Sequence, residues 1–199
     1  MKKFLMVGFL GILFVAGCGV KIANTGSTGK NVICFGDSLT AGFGASQGND
    51  YPTVLAKLLK RGVINAGNSG DTTREALARL NIDVLSKDPR LVIVEFGGND
   101  FFQKIPQKET MANLDQIVSL IQAKGAMVAV VGVRIGLLTD EYASVFRQVA
   151  RDRKTILVPN VLKDIFDDPA KKSDEIHPND QGYAIIAQRV FEKIKPFLN

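Results

Sequence analysis

Residues 31–38 read Asn-Val-Ile-Cys-Phe-Gly-Asp-Ser, and this stretch holds the first element of the predicted fold. Its apolar part, Val32–Phe35, is continuous rather than alternating, which is typical of a strand covered on both faces. The chain then leaves the strand through Gly36-Asp37-Ser38 and enters a helix. A serine at that position has an exposed hydroxyl and a free backbone N–H, and the helix amino end favours developing negative charge. Serine also caps helices, so Ser38 alone is weak evidence for a nucleophile.

The same alternation of strand and helix continues along the chain. Further apolar runs occur at Val63–Ile64, Leu91–Phe96, Met127–Val133 and Ile156–Val158. Between and after these runs, helix-start residues or helical spacing indicate helices that begin near Pro52 and Thr72, cover residues 111–121 and 141–153, and run from Pro178 onward. Repeated strand and helix predict an α/β fold with a doubly wound parallel sheet. In such a sheet the functional site lies at the carboxyl ends of the strands.

The composition excludes several kinds of site. The chain has 199 residues, of which 46% are hydrophobic, which is ordinary for a globular domain. Its two cysteines exclude a disulfide-stapled scaffold and a cysteine-based zinc site, and its single histidine, His177, excludes a multi-histidine metal centre. The net charge of +5 comes from scattered basic residues, which predicts a solvated surface rather than a nucleic-acid face. We therefore expect no metal, no cofactor and no nucleic-acid partner.

The amino terminus predicts a secretion signal. Two lysines precede an uninterrupted apolar stretch, residues 4–17, which is shorter than the roughly 20 residues that a membrane-spanning helix needs. The stretch closes with Val15-Ala16-Gly17-Cys18, which resembles the lipobox of bacterial lipoproteins, where the cysteine becomes the first mature residue and receives lipid. An ordinary cleaved signal, with Cys18 incidental, and an uncleaved anchor are the alternatives.

A lipoprotein signal at the amino terminus divides the chain into three parts. We expect residues 1–17 to be a removed signal peptide, residues 18–30 a lipidated flexible tether of small and polar residues, and residues 31–199 the folded domain. The protein would be held at a membrane of the bacterial envelope through Cys18, at the outer membrane or the periplasmic face if the cell is Gram-negative. Cys34 then remains as a core residue.

Glycine-rich turns follow the second and third predicted strands. The first, residues 65–71, includes Gly70, and glycine lets a backbone N–H approach a ligand closely, although a plain turn would use the same residues. Ser69 in this turn fails the G-x-S-x-G nucleophile elbow, which argues against an α/β-hydrolase. The second turn, Gly97-Gly98-Asn99-Asp100, offers the Asn99 amide as a donor into a cleft.

Near the carboxyl end the chain reads Asp174-Glu175-Ile176-His177-Pro178. A carboxylate three residues before a histidine can reach its Nδ1 and fix the tautomer of the ring. Taken alone, a histidine before proline is also what the start of a surface helix looks like.

Together these segments resemble the GDSL esterases, also called SGNH hydrolases. Gly-Asp-Ser-Leu at 36–39, the glycine turn, Gly-Gly-Asn-Asp and Asp-x-x-His-Pro occur in this order at successive strand ends. The resemblance covers residues 31 to about 195, is nearest to the bacterial thioesterase, lysophospholipase and arylesterase branch, and implies a three-layer αβα, flavodoxin-like fold with a five-stranded parallel sheet.

The resemblance also implies roles for individual residues. Ser38 would be the nucleophile, His177 the base and Asp174 the third member of a triad. The N–H groups of Ser38 and Gly70 and the amide of Asn99 would form the oxyanion hole. Phe101, Phe102 and the apolar residues 135–138 would line an acyl pocket, or else pack their own loops. We interpret Asp37 and Asp100, which flank motif residues, as structural.

The resemblance leaves the substrate open. We expect a serine esterase that acts as a monomer on a lipid-like ester, such as a lysophospholipid, an aryl ester or an acyl thioester. A carbohydrate O-acetyl esterase of the cell envelope is the alternative within the enzymes. A flavodoxin-like binding module and a lipoprotein scaffold without catalysis are the non-enzymatic alternatives. The first leaves Asn99 and the Asp174 and His177 pair without a purpose, and fluorophosphonate labelling at Ser38 would exclude the second.

Overall fold

The fold is an αβα sandwich around one parallel sheet, seen in a computed structural model that describes residues 21–134 and 140–198. The strands are β1 (Asn31–Gly36), β2 (Val63–Gly67), β3 (Pro89–Glu95), β4 (Met127–Val131) and β5 (Ile156–Val158). They are hydrogen-bonded in the order β2-β1-β3-β4-β5, and every pair is parallel. The predicted α/β class with a five-stranded parallel sheet is confirmed.

Helices cover both faces of the sheet. They are α1 (Ser38–Ala41), α2 (Tyr51–Leu59), α3 (Thr73–Leu80), α4 (Gly98–Phe102), α5 (Gln107–Ala123), α6 (Asp140–Asp152) and α7 (Asp180–Ile194). Helices α2 and α7 pack against each other, while α5 packs against α3 and α6. The core lies between these layers and the central strands, whose side chains are almost all fully buried, which is why β1, β3 and β4 read as continuous apolar runs.

The sequence places several helix boundaries well and misses others by a few residues. The helix start predicted near Thr72 is present as a capping box, which Glu75 completes ahead of α3. The last helix begins at Asp180 rather than at Pro178, because the Asn179 side chain accepts hydrogen bonds from the N–H groups of Gln181 and Gly182 and fixes the helix start there.

The described part of the predicted flexible tether is bound to the domain. The N–H of Ala23 donates to the carbonyl of Lys154, and the Asn24 amide donates to the carbonyls of Gln122 and Ala126. The N–H of Lys30 donates to the carbonyl of Asp88. Residues 23–30 therefore run along the edge where the strands begin, which we call the amino edge. The edge where the strands end is the carboxyl edge.

Candidate active site

The first candidate residue, Ser38, lies at the carboxyl edge where β1 becomes helix α1. Asp37 caps the helix: its Oδ1 accepts from the N–H of Leu39 at 3.0 Å. The turn demands glycine at 36, because a Cβ there would lie 2.0 Å from Thr40 Oγ1 and 2.6 Å from the Glu95 carbonyl oxygen. Ser38 is the first helical residue, so its N–H has no acceptor within the helix.

Ser38, His177 and Asp174 come together in one hydrogen-bonded chain. His177 Nε2 lies 3.0 Å from Ser38 Oγ, and His177 Nδ1 lies 2.8 Å from Asp174 Oδ2. The other oxygen of Asp174 accepts from the N–H groups of Ile176 and His177, each at 2.7 Å. These backbone donors, that of His177 foremost, lower the pKa of Asp174 to about 2. With Asp174 ionised, Nδ1 carries the imidazole proton and Nε2 faces the serine as an acceptor.

The loop that carries His177 is held from both sides. The N–H of Ser173 donates to the His177 carbonyl at 2.9 Å, which closes the loop on itself. On the other side, the ring of Phe43 packs on the imidazole with its centroid 4.5 Å away. The Tyr183 hydroxyl donates to the Phe43 carbonyl at 2.7 Å and keeps that segment in place. Residues 42–44 therefore support the base directly.

The two further oxyanion candidates occupy different surroundings. The Asn99 amide nitrogen, at the start of α4, lies 2.9 Å from the Asp71 carbonyl and 3.3 Å from Asp37 Oδ2. One hydrogen of the amide is thus firmly bound, while the other makes only the longer contact with Asp37. Gly70 lies in the exposed turn after β2 with φ +87°, a conformation that favours glycine. Asn99 lines the cavity at Ser38, whereas Gly70 does not.

Two buried carboxyl groups lie beneath the nucleophile. Asp37 is 3% exposed and Glu95, the last residue of β3, is 1% exposed. Glu95 Oε2 accepts from Thr40 Oγ1 at 3.0 Å, and the same hydroxyl lies 3.0 Å from the Tyr51 hydroxyl. The Glu95 side chain faces Asp37, whose carboxyl group and backbone N–H both interact with it.

Burial decides the protonation of this pair. It raises the pKa of Asp37 to about 6 and raises the pKa of Glu95 well above its usual range, since the neighbouring Asp37 charge adds to the effect. Two adjacent buried carboxylates cannot both ionise at neutral pH. Glu95 therefore holds the proton, and its carboxyl O–H can donate a hydrogen bond to Asp37.

Arg79 ties the ends of β1 and β2 together. Its Nε donates to Asp71 Oδ2 at 2.5 Å, and its Nη groups donate to the carbonyls of Ala66 at 2.8 Å and Gly36 at 2.9 Å. Its guanidinium also lies 4.5 Å from the centre of the Phe35 ring. Since Asp71 accepts from Asn99 through its carbonyl, Arg79 fixes the segment that positions Asn99.

Two residues that shape the site, Glu95 and Arg79, are not among those predicted from the sequence. A carboxylate inside the apolar run Leu91–Phe96 is the signal that could have found Glu95, because acidic residues are almost never fully buried without a partner. Arg79 lies among the polar positions of α3 and gives no such signal. The interpretation of Asp100 as structural agrees with its contacts: it accepts from Thr73 N at 2.9 Å, Thr73 Oγ1 at 2.5 Å and Thr110 Oγ1 at 3.1 Å.

The triad opens on a small cavity that adjoins an apolar groove. The cavity measures about 90 Å³ and is lined by Ser38, Asn99, His177, Phe102, Val133 and Ile176, among others. The groove measures about 390 Å³ and lies among Phe101, Phe102, Ile105 and Tyr142. Phe102, which is 49% exposed, lines both. Residues 135–138, also predicted to line an acyl pocket, lie outside the described residues.

Neither a metal site nor a membrane span occurs in the described part of the chain. No group of His, Cys, Asp and Glu side chains there is arranged to hold a metal ion. Likewise, none of the helices over residues 21–134 and 140–198 is long and apolar enough to cross a bilayer.

Comparison with known proteins places this geometry in context. The sequence model of the GDSL-like Lipase/Acylhydrolase family matches residues 34–185. Thioesterase 1/protease 1/lysophospholipase L1 of Escherichia coli (strain K12) is 28% identical over 84% of this chain and 85% of its own length. An arylesterase of Vibrio mimicus is 30% identical over 83% and 88%, respectively. The solved structure of TesA superposes with a TM-score of 0.79 at 28% identity, over 84% of this chain and 99% of TesA.

Proposed function

The chain belongs to the GDSL-like lipase/acylhydrolase family, and we propose that it is a serine esterase whose triad is Ser38, His177 and Asp174. The observation that carries this proposal is the continuous chain of contacts from Ser38 Oγ to His177 Nε2, at 3.0 Å, and from His177 Nδ1 to Asp174 Oδ2, at 2.8 Å. A hydroxyl beside an oriented neutral imidazole is an activated nucleophile. All three side chains come from one chain, so the proposed site is complete in a monomer.

Acylation begins when Ser38 Oγ attacks the carbonyl carbon of the ester and His177 Nε2 takes the hydroxyl proton. The carbonyl oxygen becomes an oxyanion, and Asp174 stabilises the imidazolium without taking the proton itself. The carbon–oxygen bond to the leaving group, or the carbon–sulfur bond of a thioester, then breaks. His177 returns its proton to the leaving alcohol or thiol, and the acyl group remains on Ser38.

Deacylation repeats these steps with water as the nucleophile. His177 takes a proton from the water as its oxygen attacks the acyl carbon, and the bond to Ser38 Oγ breaks. The imidazolium gives that proton back to Ser38, so the enzyme is regenerated and the carboxylic acid leaves. No cofactor or metal takes part in these steps.

The oxyanion would be stabilised by three donors: the N–H of Ser38, the N–H of Gly70 and the Asn99 amide. The Ser38 N–H is available because Ser38 starts a helix. The Asn99 hydrogen directed toward Asp37 makes only a 3.3 Å contact, so it is the one available to an oxyanion, while the other donates to the Asp71 carbonyl at 2.9 Å. Gly70 has a φ of +87°, which favours glycine, and lies in the exposed turn after β2.

We propose that the acyl group enters along Phe102 into the apolar groove, which makes lipid-like and aryl esters the favoured substrates. Phe102 connects the cavity at Ser38 with the groove among Phe101, Ile105 and Tyr142. The size of the cavity itself favours a second candidate, a carbohydrate O-acetyl esterase. At about 90 Å³ it suits an acetyl group, and a longer chain must use the groove.

A panel of p-nitrophenyl esters from acetyl to palmitoyl, run beside lysophosphatidylcholine, tests these alternatives. We expect hydrolysis to extend beyond the butyryl ester and Phe102→Ala to reduce the longer-chain rates selectively. Activity confined to acetyl and butyryl esters, with Phe102→Ala without effect, would support the O-acetyl esterase instead. Ser38→Ala, purified in the same way, controls for contaminating esterases.

We further propose that Cys18 is lipidated and anchors the protein at a membrane of the bacterial envelope. The support is the charged start, the apolar residues 4–17 and the Val15-Ala16-Gly17-Cys18 segment, all of which lie outside the described residues. Incorporation of labelled palmitate into the native chain, and its loss in Cys18→Ser, tests this proposal. Equal incorporation into both chains would contradict it.

A further inference from the structure

Every strand of the sheet is preceded, within a few residues, by a lysine. In the spatial order β2-β1-β3-β4-β5 these lysines are Lys60, Lys30, Lys87, Lys124 and Lys154. Because all five strands are parallel, their starts lie along one edge of the sheet. Neighbouring strands are about 4.8 Å apart, so the five positions span about 20 Å. We call this row of five residues the lysine edge.

The ammonium groups of the lysine edge are free to interact with an external partner. Lys87 is partly exposed and the other four are exposed. No salt bridge or hydrogen bond joins their Nζ atoms to another residue in the described ranges. The acidic residues next to these lysines in the sequence are Asp88, which follows Lys87, and Asp152, two residues before Lys154. The opposite edge, in contrast, carries Asp37, Asp71, Asp100 and Asp174 directly around the candidate active site.

A groove at the same edge adds apolar surface to this charge. It measures about 710 Å³ and lies between the carboxyl ends of α2 and α7. Leu58, Phe191 and Leu198 contribute apolar walls, and Arg61 and Lys195 contribute two more cations. Apolar side chains within a cationic border suit the boundary between lipid headgroups and acyl chains.

The path of the chain brings its amino terminus to the same edge. Ala23 is bound to the Lys154 carbonyl at the start of β5, so the residues before it leave the domain beside the lysine edge. Cys18 precedes Lys21 by so few residues that the intervening chain spans at most about 10 Å. A lipid on Cys18 would therefore hold this edge close to the headgroups.

We propose that the lysine edge is a docking surface for an anionic lipid bilayer, and that the protein lies on the membrane with its candidate active site facing away from it. The strand β1 separates the two edges, and its length of six residues corresponds to about 20 Å. Resting on the proposed function, this orientation refines the substrate class: esters would reach Ser38 through water, as soluble or released monomers, rather than from the bilayer beneath.

Vesicle binding by the full chain tests the docking surface. The probes are vesicles of phosphatidylcholine with and without phosphatidylglycerol, at low and high salt. The edge variant is Lys60→Gln/Lys124→Gln/Lys154→Gln. The matched control is Lys104→Gln/Lys108→Gln/Lys163→Gln, which removes three exposed lysines from the carboxyl side. Lys104 has a positive φ, as Lys60 and Lys154 do, so the control also includes a lysine in this backbone conformation. Both variants have the same net charge.

We expect phosphatidylglycerol to strengthen binding of the wild-type chain and salt to weaken it. The edge variant should lose at least about tenfold of the phosphatidylglycerol-dependent affinity, and the control less than about threefold, since each lysine near an anionic surface contributes on the order of 1 kcal/mol. Equal losses in both variants, or no effect of phosphatidylglycerol on the wild type, would overturn the proposal. Tighter binding to duplex DNA than to these vesicles, lost in the edge variant, would also overturn it.

Two further readouts separate docking from other roles of these lysines. Lysines near helix carboxyl ends also stabilise helix dipoles, so the Tm of both variants is measured, and a loss of vesicle binding at unchanged Tm supports docking. Hydrolysis of a soluble p-nitrophenyl ester should proceed equally fast on vesicle-bound and free wild-type enzyme. Strong inhibition on binding would place the docking surface at the active-site mouth and contradict the orientation, whereas absence of hydrolysis in both states would contradict only the proposed esterase.

Discussion

The carboxyl and amino edges of the sheet are built from the same kind of short connection, yet they are fixed in different ways. At the carboxyl edge, buried polar side chains lock the turns: Asp37 caps α1, Asp100 holds Thr73, and Arg79 bridges the carbonyls of two strand ends. At the amino edge the lysine side chains are solvated and point to no partner in the described residues. Catalysis by positioned side chains requires fixed geometry, whereas attraction to a charged surface requires only charge. This difference matches the locked turns of the carboxyl edge and the solvated lysines of the amino edge.

The largest expected effect comes from removing the nucleophile. Ser38→Ala should lower kcat for ester hydrolysis by about 10⁴-fold or more, because the acyl-enzyme can no longer form. Ser69→Ala is the matched control, since Ser69 lies in the exposed turn after β2 and has no place in the proposed chemistry. Retained hydrolysis in a clean Ser38→Ala preparation would remove the catalytic role from this edge.

The next effect tests the orientation of the base. Asp174→Asn should lower kcat by about 10³-fold or more, because the neutral amide no longer holds the His177 tautomer. The substitution also bears on acid stability: the pKa of Asp174 is lowered to about 2 from an ordinary value of 3.8. Its contribution to folding is therefore present above about pH 4 and lost as the pH falls toward 2. Urea unfolding across this range should show a smaller acid-induced loss for the variant than for the wild type.

Loss of an oxyanion donor should be smaller. Asn99→Ala is expected to lower kcat by about 10²–10³-fold, the range for a single donor in such a site. The control is Asn113→Ala, which removes an amide that donates to Thr73 Oγ1 at 3.0 Å behind the same loop. If the two variants lose activity equally, Asn99 supports the loop and does not contact the oxyanion.

The smallest effect concerns the buried carboxyl pair. Glu95→Gln keeps an acceptor for Thr40 and supplies an N–H toward Asp37, so it mimics the protonated acid. We expect it to retain activity within about threefold. Glu95→Ala, which lacks both groups, should lose more activity than that. The wild type holds more protons folded than unfolded, because burial raises the pKa of Asp37 from 3.8 to about 6 and that of Glu95 as well. The stabilisation from Asp37 is therefore complete below about pH 4 and is lost as the pH rises through about 6, while that from Glu95 is lost at higher pH.

Urea unfolding measured across this window checks the protonation of Glu95. Glu95→Gln should flatten the decline of the unfolding free energy with rising pH, because it removes one of the two titrating groups. An unchanged slope, or a loss of activity as large as that of Glu95→Ala, would show that Glu95 is ionised in the folded protein.

The carboxyl edge was largely predictable because its chemistry is carried by particular residue types at strand ends. All five strands were found as apolar runs, although β2 continues to Gly67; as an edge strand it includes the polar Asn65 and gives a weaker signal. Ser38, Asn99, Asp174 and His177 all follow predicted elements. The supports of Asn99 and Ser38 were not predictable, since Arg79 joins the turn after β2 to Gly36, which is 43 residues from Arg79 in sequence.

The amino edge was predicted less well, because its contacts are made by the backbone and its charge pattern by the order of the strands. The small and polar residues before β1 predict a flexible tether, but they are held by backbone hydrogen bonds, as between Ala23 and Lys154, that side-chain types do not reveal. The five lysines look scattered in sequence, and only the parallel order of the strands brings them into one row. A charge pattern of this kind is thus a property of the topology rather than of any one segment.

Labelling with a fluorophosphonate, followed by mass spectrometry of the proteolytic peptides, tests most directly whether Ser38 is the nucleophile. We expect one phosphonyl adduct, on Ser38, with labelling abolished in Ser38→Ala, unchanged in Ser69→Ala and strongly slowed when His177 is replaced by alanine. An adduct on another serine, or ester hydrolysis by the wild type without any adduct on Ser38, would contradict it.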